Sequence, residues 1–308
     1  MKLSLVVPCY NEAENVENFQ NAVINAFCGC GYDYEIVFVD DGSRDATLHN
    51  LKKLYKTQAC PVKVVSFSRN FGKEAGLYAG MQHASGEYIS LIDADLQQRP
   101  EIVRDMVKTL DEHPDVDVVA AYQDRRGEGK LLSLFKKCFY AIINRLSDVT
   151  LRSDASDFRT FRRSVRDSIL ELAEYHRFSK GIFAWVGYST TFIPYTACPR
   201  TSGKTKWSFR KLVNYAIEGI IGFSTRPLRI AAYLGFVTAA AAFIYLISVV
   251  LEKLTTGIDI PGYATAIVLI LLLGGIQLVC IGIIGEYVGK TYEQSKDRPI
   301  YIAKEILE

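Results

Sequence analysis

Two uncharged segments near the C-terminus constrain this chain of 308 residues more than any other feature. Residues 230–251 contain no charged side chain, and residues 263–284 contain only Gln277 as a strongly polar one. With a rise of about 1.5 Å per residue, either segment would form a helix about 33 Å long, against a bilayer core of about 30 Å. The sequence therefore predicts two transmembrane helices, joined by residues 252–262 into a hairpin with both chain ends on one side. Two buried helices of a large soluble core are the alternative.

The distribution of basic residues predicts the orientation of this hairpin. Basic side chains flank it at Lys204, Lys206, Arg210, Lys211, Arg226, Arg229, Lys290, Lys296, Arg298 and Lys304. The connecting loop has Lys253 alone. By the positive-inside rule, the large N-terminal part and both termini are cytoplasmic. The odd number of cysteines, seven, agrees with a reduced compartment, and the net charge of +2 gives no indication of a nucleic-acid partner.

Short apolar runs alternate with helical patterns in the N-terminal part of the chain. The runs are rich in β-branched residues and lie at residues 3–8, 35–40, 62–68, 88–93 and 116–122. Helical patterns lie between them, at residues 12–27, 45–57, 74–84 and 100–113. Nearly continuous apolar runs are typical of strands that are covered on both faces. The alternation therefore predicts a doubly wound α/β domain with a mostly parallel sheet, in which ligands bind at the carboxyl ends of the strands.

Polar residues cluster where these predicted strands end. They are Asn11 and Glu12 after the first strand, Asp40, Asp41 and Ser43 after the second, Arg69 and Asn70 after the third, and Asp93 and Asp95 after the fourth. Two carboxylates one residue apart repel each other unless a cation lies between them, so Asp93 and Asp95 indicate an ion or a phosphate. The alternatives are a solvated strand end for this pair, helix capping for Asn11 and Glu12, and an ordinary turn at residues 41–43.

Several familiar nucleotide-binding and metal-binding motifs are missing from the sequence. No G-x-G-x-x-G follows the first strand, which argues against a dinucleotide-dependent dehydrogenase. The stretch CPRTSGKT, residues 198–205, ends like a P-loop but has Cys198 where that motif requires glycine. The four histidines are scattered along the chain, and no group of His and Cys residues has the spacing of zinc ligands.

Two amphipathic stretches predict helices at the membrane surface. Apolar residues recur at helical spacing in residues 130–146, among basic residues that include Lys137, and the pattern returns in residues 207–223. Such patterns are typical of helices that lie in the headgroup region, and core helices are the alternative. Helices in that region would bring a site to the height of a lipid phosphate, with Arg125 and Arg126 as candidates to bind it.

Six motifs follow one another ahead of the hairpin: VVPCYNE (6–12), VDDGS (39–43), RNFGKEAGLYAG (69–80), DADLQ (93–97), DFRTF (157–161) and GKTKWSFRKL (203–212). With these motifs the chain resembles the family 2 glycosyltransferases of the polyprenyl-phosphate type, most closely the bactoprenol glucosyltransferases and more distantly the dolichol-phosphate mannose synthases. The resemblance covers essentially the whole chain. It implies a metal-dependent hexosyltransferase of GT-A fold in the bacterial inner membrane. Such an enzyme moves a sugar, with inversion, from a nucleotide diphosphate sugar to polyprenyl phosphate at the cytoplasmic face.

The resemblance also divides the chain into parts. A GT-A catalytic domain would comprise residues 1–206 and include an amphipathic helix at about residues 130–146. A juxtamembrane amphipathic helix would follow at residues 207–227, and the two transmembrane helices would lie within residues 228–285. Residues 286–308 would form a cytoplasmic tail.

Individual residues receive roles from the same resemblance. It implies a Mg²⁺ or Mn²⁺ ion on Asp93, Asp95 and Gln97, and hard oxygen ligands suit these ions. The nucleotide would be bound by Pro8, Tyr10, Glu12, Asp40, Asp41, Lys73 and Asp93. The diphosphate would be bound by Arg200, Ser202 and Lys204, for which a solvated or lipid-facing basic loop is the alternative. The acceptor phosphate would be bound by Arg125, Arg126 and Lys137, although many relatives have a further Arg at the position of Tyr122.

Asp157 is, together with Asp95, a predicted catalytic residue. It matches the position of the base in inverting relatives. The acceptor, however, is a phosphate monoester with a second pKa of about 6 and is largely ionised at pH 7, so it needs little deprotonation. Asp157 therefore either accepts a proton or orients the acceptor and the sugar hydroxyls. A structural salt bridge to Arg159 or Arg162 is the alternative.

The sequence leaves the sugar, the oligomeric state and two other function classes open. UDP-glucose is expected from the resemblance, and galactose, N-acetylglucosamine, mannose or an aminoarabinose remain alternatives. Gly274, Gly275, Gly282 and Gly285 offer small faces that serve either the hairpin itself or a homo-oligomer. The other classes are a processive polysaccharide synthase, which usually has a Q-x-x-R-W motif where this chain has GKTKW, and a nucleotide-sensing membrane subunit without transferase activity.

Overall fold

The computed structural model describes residues 2–123, 144–145, 149, 152, 155–196, 219–256 and 262–308. Its first half alternates strands and helices: β1 (Leu3–Cys9), α1 (Val16–Phe27), β2 (Tyr34–Asp40), α2 (Thr47–Thr57), β3 (Val62–Phe67), α3 (Lys73–His83), β4 (Tyr88–Leu91), α4 (Pro100–Glu112) and β5 (Val118–Gln123). The second half contains β6 (Ala155–Arg162), α5 (Arg163–Glu171), α6 (Ser179–Trp185), β7 (Thr190–Tyr195), α7 (Arg226–Thr256), α8 (Tyr263–Ser295) and β8 (Ala303–Leu307).

Within the described residues, one sheet of eight strands has the order β7-β5-β6-β4-β1-β2-β3-β8. Strands β1 to β4 are parallel to one another where they pair, and β5 is parallel to β7. Strand β6 lies antiparallel between β4 and β5, and β8 lies antiparallel at the edge beside β3. The predicted mostly parallel α/β sheet is confirmed, and each of the five predicted strands is present within two residues of its predicted bounds.

Apolar side chains cover both faces of the sheet, as the continuous apolar runs predict. On one face, helices α1, α2 and α4 pack on the sheet, and the rings of Phe19 in α1 and Phe38 in β2 meet edge to face at 6.0 Å. On the other face, helix α3 packs closely on the side chains of β1 and β2. A Cβ atom at Gly80 would lie 2.2 Å from Cγ1 of Val6, so only glycine allows this approach. This contact fixes α3, whose first residue is Lys73, relative to β1.

Helices α7 and α8 are the two predicted transmembrane segments. Both are long and apolar enough to cross a membrane, and none of the most apolar window of either helix is buried against the rest of the protein. They extend beyond the uncharged segments to residues 226–256 and 263–295. The small faces of α8 are uncovered, since a Cβ atom at Gly274, Gly275, Gly282 or Gly285 would meet nothing within 4 Å. Two exposed apolar helices indicate a membrane-associated protein.

The C-terminal residues return to the sheet after α8. Strand β8 pairs with β3, and Tyr301 just before it stacks on Phe67 with ring centroids 4.8 Å apart. Lys52 and Glu305 form an ion pair at 2.5 Å. The sequence indicated only a tail here, because AKEIL is too short and too charged to predict a strand without its partner. Since β8 follows α8 and pairs beside β3, the chain leaves and re-enters the α/β domain around a helical hairpin.

The stacking of Tyr301 predicts a stability difference between two substitutions. Tyr301→Ala removes a ring from the β3 edge and should lower the free energy of unfolding by about 2 kcal/mol. Tyr301→Phe keeps the ring and loses only the exposed hydrogen bond to Gln82, at 2.8 Å, so it should cost less than about 1 kcal/mol. Thermal unfolding of the full-length protein in detergent micelles measures both. Equal losses in the two variants would contradict a role for ring packing.

Candidate active site

A tight turn after β4 presents the paired acids at the carboxyl edge of the sheet. Leu96, between Asp95 and Gln97, has a left-handed backbone with φ of 57°. The turn is held by two hydrogen bonds, from Asp93 N–H to the Gln98 side chain at 3.0 Å and from Gln97 N–H to Asp95 Oδ1 at 3.2 Å. Asp93, Asp95 and Gln97 are all half-buried. The structure therefore brings the three predicted metal ligands together on one turn.

The side chain of Lys73 lies between two carboxylates of this site. Its Nζ atom is 2.6 Å from Oδ1 and 2.9 Å from Oδ2 of Asp93, and 3.7 Å from Oδ2 of Asp157. Partial burial would lower the pKa of Lys73, but the negative charges of Asp93 and Asp157 outweigh it and raise that pKa. Lys73 is thus a fixed cation at the point where β4 and β6 meet.

Asp157 lies in a charged environment, and one of its carboxylate oxygens is buried. Its Oδ1 atom is buried and has no hydrogen-bond partner among the residues that the structure describes. Burial alone would raise the pKa of Asp157, but the positive charges of Lys73, Lys180 and Arg159 keep it below its ordinary value. Asp157 is therefore ionised at neutral pH, and its buried Oδ1 atom accepts no hydrogen bond from the described residues.

The loops after β2 and β3 are joined by the carboxylates of Asp40 and Asp41. Asp41 is 4% exposed and accepts hydrogen bonds from the backbone N–H groups of Phe71 at 2.6 Å and Gly72 at 3.0 Å. Asp40 is 1% exposed and accepts from the Ser43 N–H and the Ser66 hydroxyl. Both carboxylates thus hold the loops together. If Asp40 and Asp41 contribute to nucleotide binding, they do so by fixing the shape of these loops.

The loop after β1 carries the remaining described candidates for nucleotide binding. Tyr10 and Pro8 are half-buried at the end of β1. Glu12 donates its N–H to the Thr47 hydroxyl at 2.9 Å and accepts from the Asn15 amide at 2.6 Å. These contacts agree with a local structural role for Glu12 near the start of α1. Together with Lys73, Asp93 and Asp95, the three residues lie along the same carboxyl edge of the sheet.

Several predicted residues lie outside the described part of the chain. They are Arg125, Arg126 and Lys137 on the acceptor side and Arg200, Ser202 and Lys204 on the diphosphate side. Most of the predicted amphipathic stretches, residues 130–143 and 207–218, also lie outside it. The assignments to these residues stay predictions.

Two features of the site were not predicted from the sequence: the packing of Arg159, which was named only as a salt-bridge partner of Asp157, and the contact of Glu74. Arg159 is buried, donates to the Ser156 carbonyl at 3.0 Å, and places its guanidinium 4.1 Å from the ring centroid of Phe183. Glu74 accepts hydrogen bonds from Ser179 on helix α6. Arg159 and Glu74 lie within two of the six motifs, which was a usable signal. Ser179 lies in none of the six motifs, and its contact with Glu74 could not be predicted because the two residues meet only in the folded chain.

The donor atoms on the turn after β4 fit a divalent cation that takes few ligands from protein. In the part of the chain that the structure describes, no three His, Cys, Asp or Glu side chains come together as a metal-binding group. The turn offers the carboxylates of Asp93 and Asp95 and the carboxamide of Gln97, all hard oxygen donors. Mg²⁺ is commonly held by one or two carboxylates, with phosphate oxygens and water completing its shell. The residues therefore fit an ion that binds together with a phosphate ligand.

Two protein-family descriptions match the chain in agreement with this architecture. The description of glycosyl transferase family 2 matches residues 4–170, and that of the GtrB C-terminal hairpin matches residues 226–291. The first match covers all but the first residue of β1, the strands β2 to β6 and the turn with the paired acids. The second covers most of α7 and α8.

Curated relatives are similar to the chain over nearly its whole length. The bactoprenol glucosyl transferase of Shigella phage SfV is 40% identical over 304 residues, which are 99% of this chain and 98% of that protein. The prophage bactoprenol glucosyl transferase homolog of Escherichia coli K12 is 41% identical over 306 residues, 99% of each chain. The putative glycosyltransferase CsbB of Bacillus subtilis is 41% identical over 98% of this chain and 91% of its own.

A solved structure shares the fold of the α/β domain. It is glucosyl-3-phosphoglycerate synthase from Mycobacterium tuberculosis in complex with Mg²⁺ and uridine diphosphate, with a TM-score of 0.50 and 19% sequence identity. The similarity covers 71% of this chain and 77% of that one. At this level of identity it supports the fold alone.

The position of Lys73 predicts a pH-dependent effect of its removal. Lys73→Met removes a positive charge that offsets the effect of burial on Asp157, so the pKa of Asp157 should rise. A carboxyl group with a lowered pKa stabilises the fold above its ordinary pKa of about 4, and this contribution is lost as the pH falls through the lower folded value. The variant should therefore unfold at a lower temperature than wild type at pH 7. The difference should begin to shrink as the pH falls through the raised pKa of Asp157 in the variant, and it should vanish only below pH 4, as the pH falls through the lowered pKa of Asp157 in wild type.

The matched control for this prediction is Lys108→Met on α4. Lys108 is 68% exposed and pairs with Glu112 at 3.7 Å on the same helix, so its removal should change little at either pH. Thermal unfolding at pH 2.5, 3, 4, 5 and 7 measures all three proteins. A difference for Lys73→Met that stays constant with pH would contradict the assigned effect on Asp157.

Proposed function

The chain belongs to glycosyl transferase family 2, and from this premise we propose that it transfers glucose from UDP-glucose to polyprenyl phosphate. Membership confirms the resemblance inferred from the six motifs and makes the chain a glycosyltransferase, which removes the nucleotide-sensing subunit as an alternative. One observation carries the proposal. The same chain has a site with paired acids at the carboxyl ends of its strands and two exposed apolar helices, α7 and α8. A site for a water-soluble donor beside a membrane anchor suits transfer to a lipid acceptor.

The donor would bind along the carboxyl edge of the sheet. Asp95 and Gln97, with Asp93 beside them, would hold Mg²⁺ or Mn²⁺, which when bound supplies positive charge to the departing diphosphate. Pro8, Tyr10 and Glu12 line the part of the edge that is left for the nucleotide. Arg200, Ser202 and Lys204 would contact the diphosphate through charge-assisted hydrogen bonds.

Asp157 would act on the acceptor side of the same site. Its Oδ1 atom, which has no partner among the described residues, would accept a hydrogen bond from a sugar hydroxyl or from a singly protonated phosphate, and the neighbouring positive charges keep the carboxylate ionised. Because the acceptor phosphate is largely ionised already at pH 7, orientation contributes more to the rate than removal of a proton. Arg125, Arg126 and Lys137 would bind that phosphate.

Transfer would take place at the cytoplasmic face of the bacterial inner membrane. The basic residues on both flanks of the hairpin support this orientation. The pairing of β8 with β3 supports it as well, because it puts the end of α8 on the same side as the catalytic domain. The match to a two-helix hairpin gives no support to a processive synthase with more membrane helices.

The proposal is tested by incubating the purified full-length protein with labelled UDP-glucose, undecaprenyl phosphate and Mg²⁺, followed by lipid extraction. Label should enter the lipid fraction and an equal amount of UDP should be released. Undecaprenol, which lacks the phosphate, is the matched control acceptor and should receive no label. UDP-galactose, UDP-N-acetylglucosamine and GDP-mannose in parallel measure sugar specificity. Absence of lipid label from UDP-glucose, with label from another donor, would overturn the choice of glucose.

The metal assignment predicts a large effect of Asp95→Asn. This substitution keeps the size of the side chain but removes one negative charge from the cation site, so turnover should fall by about 100-fold or more. Asp105→Asn is the control, because Asp105 is 66% exposed on α4. Initial rates at a series of Mg²⁺ concentrations are the measurement. Wild-type turnover by Asp95→Asn, or by wild type in excess EDTA, would contradict the assignment.

A further inference from the structure

Glu74 is a carboxylate behind the catalytic edge to which the proposed reaction gives no role. It follows Lys73 in the first turn of α3 and accepts hydrogen bonds from the backbone N–H of Ser179, at 3.1 and 3.2 Å, and from the Ser179 hydroxyl. Burial, together with the negative charge of Asp157, raises the pKa of Glu74, while the bonds from Ser179 act against that rise. Ser179 is itself 6% exposed. The first turn of α3 is therefore tied to the first residue of α6.

Helix α6 also packs against the strand that carries Asp157. Phe183 lies beneath the guanidinium of Arg159, at 4.1 Å, and meets the ring of Phe161 at 5.0 Å. Arg159 and Phe161 belong to β6, two and four residues beyond Asp157. The positive charge of Lys180 on α6 contributes to the low pKa of Asp157. Movement of α6 would consequently displace both Lys73 and Asp157.

The start of the membrane hairpin rests on the same helix. A Cβ atom at Gly181 would lie 2.4 Å from a ring carbon of Phe223, so the two are in direct contact only because residue 181 is glycine. Phe178 lies 6.1 Å from Phe223, ring to ring. Phe223 comes shortly before α7, and the carbonyl of Ser224 accepts a hydrogen bond from the Tyr287 hydroxyl of α8 at 2.6 Å. The base of the hairpin therefore packs on α6.

The end of α8 holds the segment that leads into α6. Gln294 accepts a hydrogen bond from the Tyr175 N–H at 2.8 Å and donates one to the Ala173 carbonyl at 3.0 Å. The neighbouring Glu293 contacts His176 through its carboxylate. One carboxamide thus binds the backbone of residues 173 and 175 at two points. We call residues 172–185, which include this backbone and α6, the relay segment.

We propose that the relay segment makes the position of the membrane hairpin a determinant of the transfer rate. Gln294 holds the relay segment, Ser179 of that segment holds Glu74, and Glu74 fixes the first turn of α3 and with it the amine of Lys73 between Asp93 and Asp157. Glu74 is a positioning residue, and Gln294 is its anchor on α8. The inference rests on the proposed function, because the rate concerned is that of sugar transfer.

The first test compares Gln294→Ala with Thr291→Ala in the full-length protein in nanodiscs. Thr291 lies on the same helix, and its hydroxyl donates to the Tyr287 carbonyl within that helix. Gln294→Ala should lower kcat by about tenfold, since displacement of reacting groups by about 1 Å is costly, while the KM for UDP-glucose stays within about twofold. Thr291→Ala should leave both constants unchanged. Equal kcat values in the two variants would overturn the proposal.

A double-mutant cycle separates one connected path from two independent defects. Glu74→Ala should lower kcat, and Glu74→Gln, which keeps an oxygen for Ser179, should recover most of the loss. Distant substitutions normally have additive effects. If Gln294 acts through Glu74, Glu74→Ala combined with Gln294→Ala should be no slower than the slower single variant. Multiplied effects in the double variant would overturn the path.

Hydrogen exchange supplies a measurement that does not depend on transfer. In Gln294→Ala, amides of the relay segment and of the first turn of α3 should exchange faster than in wild type, and in Thr291→Ala they should not. Faster exchange confined to residues 173–176 would overturn the proposal, because the loss of Gln294 would then affect only the residues near its own contacts and not α3. A wild-type protein that transfers sugar to no lipid acceptor would overturn the proposed function, while the exchange data would still test the connection.

Discussion

The ammonium group of Lys73 is the interaction on which the site depends. Asp157 lies on β6 and Asp93 follows the neighbouring strand β4, and the two carboxylates would repel each other in this partly buried place without a cation between them. Lys73 reaches both, at 2.6 and 3.7 Å, because α3 begins at this residue and is pressed onto β1 at Gly80. The geometry of the acids is therefore set by helix packing at some distance from them. The contact of Gly80 with Val6 in the core therefore helps to set the position of Lys73 between the two carboxylates.

The antiparallel strand β6 brings the second acid to this edge. In a wholly parallel sheet, residues near the start of a strand lie at the opposite edge from the ligand site. Strand β6 runs against β4, with Leu91 paired to Arg159, so continuing the register by two residues puts Asp157 opposite Asp93. A single reversed strand thus adds a functional group to an edge that is otherwise built from loops after parallel strands.

Much of the fold and part of the site could be predicted, because each of those features depends on a pattern of neighbouring residues in the sequence. Continuous apolar runs predicted β1 to β5, uncharged segments predicted α7 and α8, and paired acids predicted the turn after β4. The strands β6, β7 and β8 escaped prediction. The sequences of β6 and β8, ASDFRTFR and AKEIL, mix charged with apolar residues, and that of β7, TTFIPY, contains a proline, so all three form strands through their partners in the sheet. The inward orientation of Asp41 and the contact of Glu74 with Ser179 are likewise tertiary, and no spacing along the chain indicates them.

Attachment at two points limits how the catalytic domain can move relative to the hairpin. Residues 219–224 pack on α6 before α7 begins, and after α8 the chain contacts the relay segment and then adds β8 to the sheet. One attachment would allow the domain to rotate relative to the hairpin, whereas one before α7 and another after α8 oppose rotation. A lipid phosphate is confined to the depth of the headgroups, so a site that transfers sugar to it must keep a constant height and tilt. The strand β8, which contributes no residue to the site, would serve this requirement by closing the second attachment.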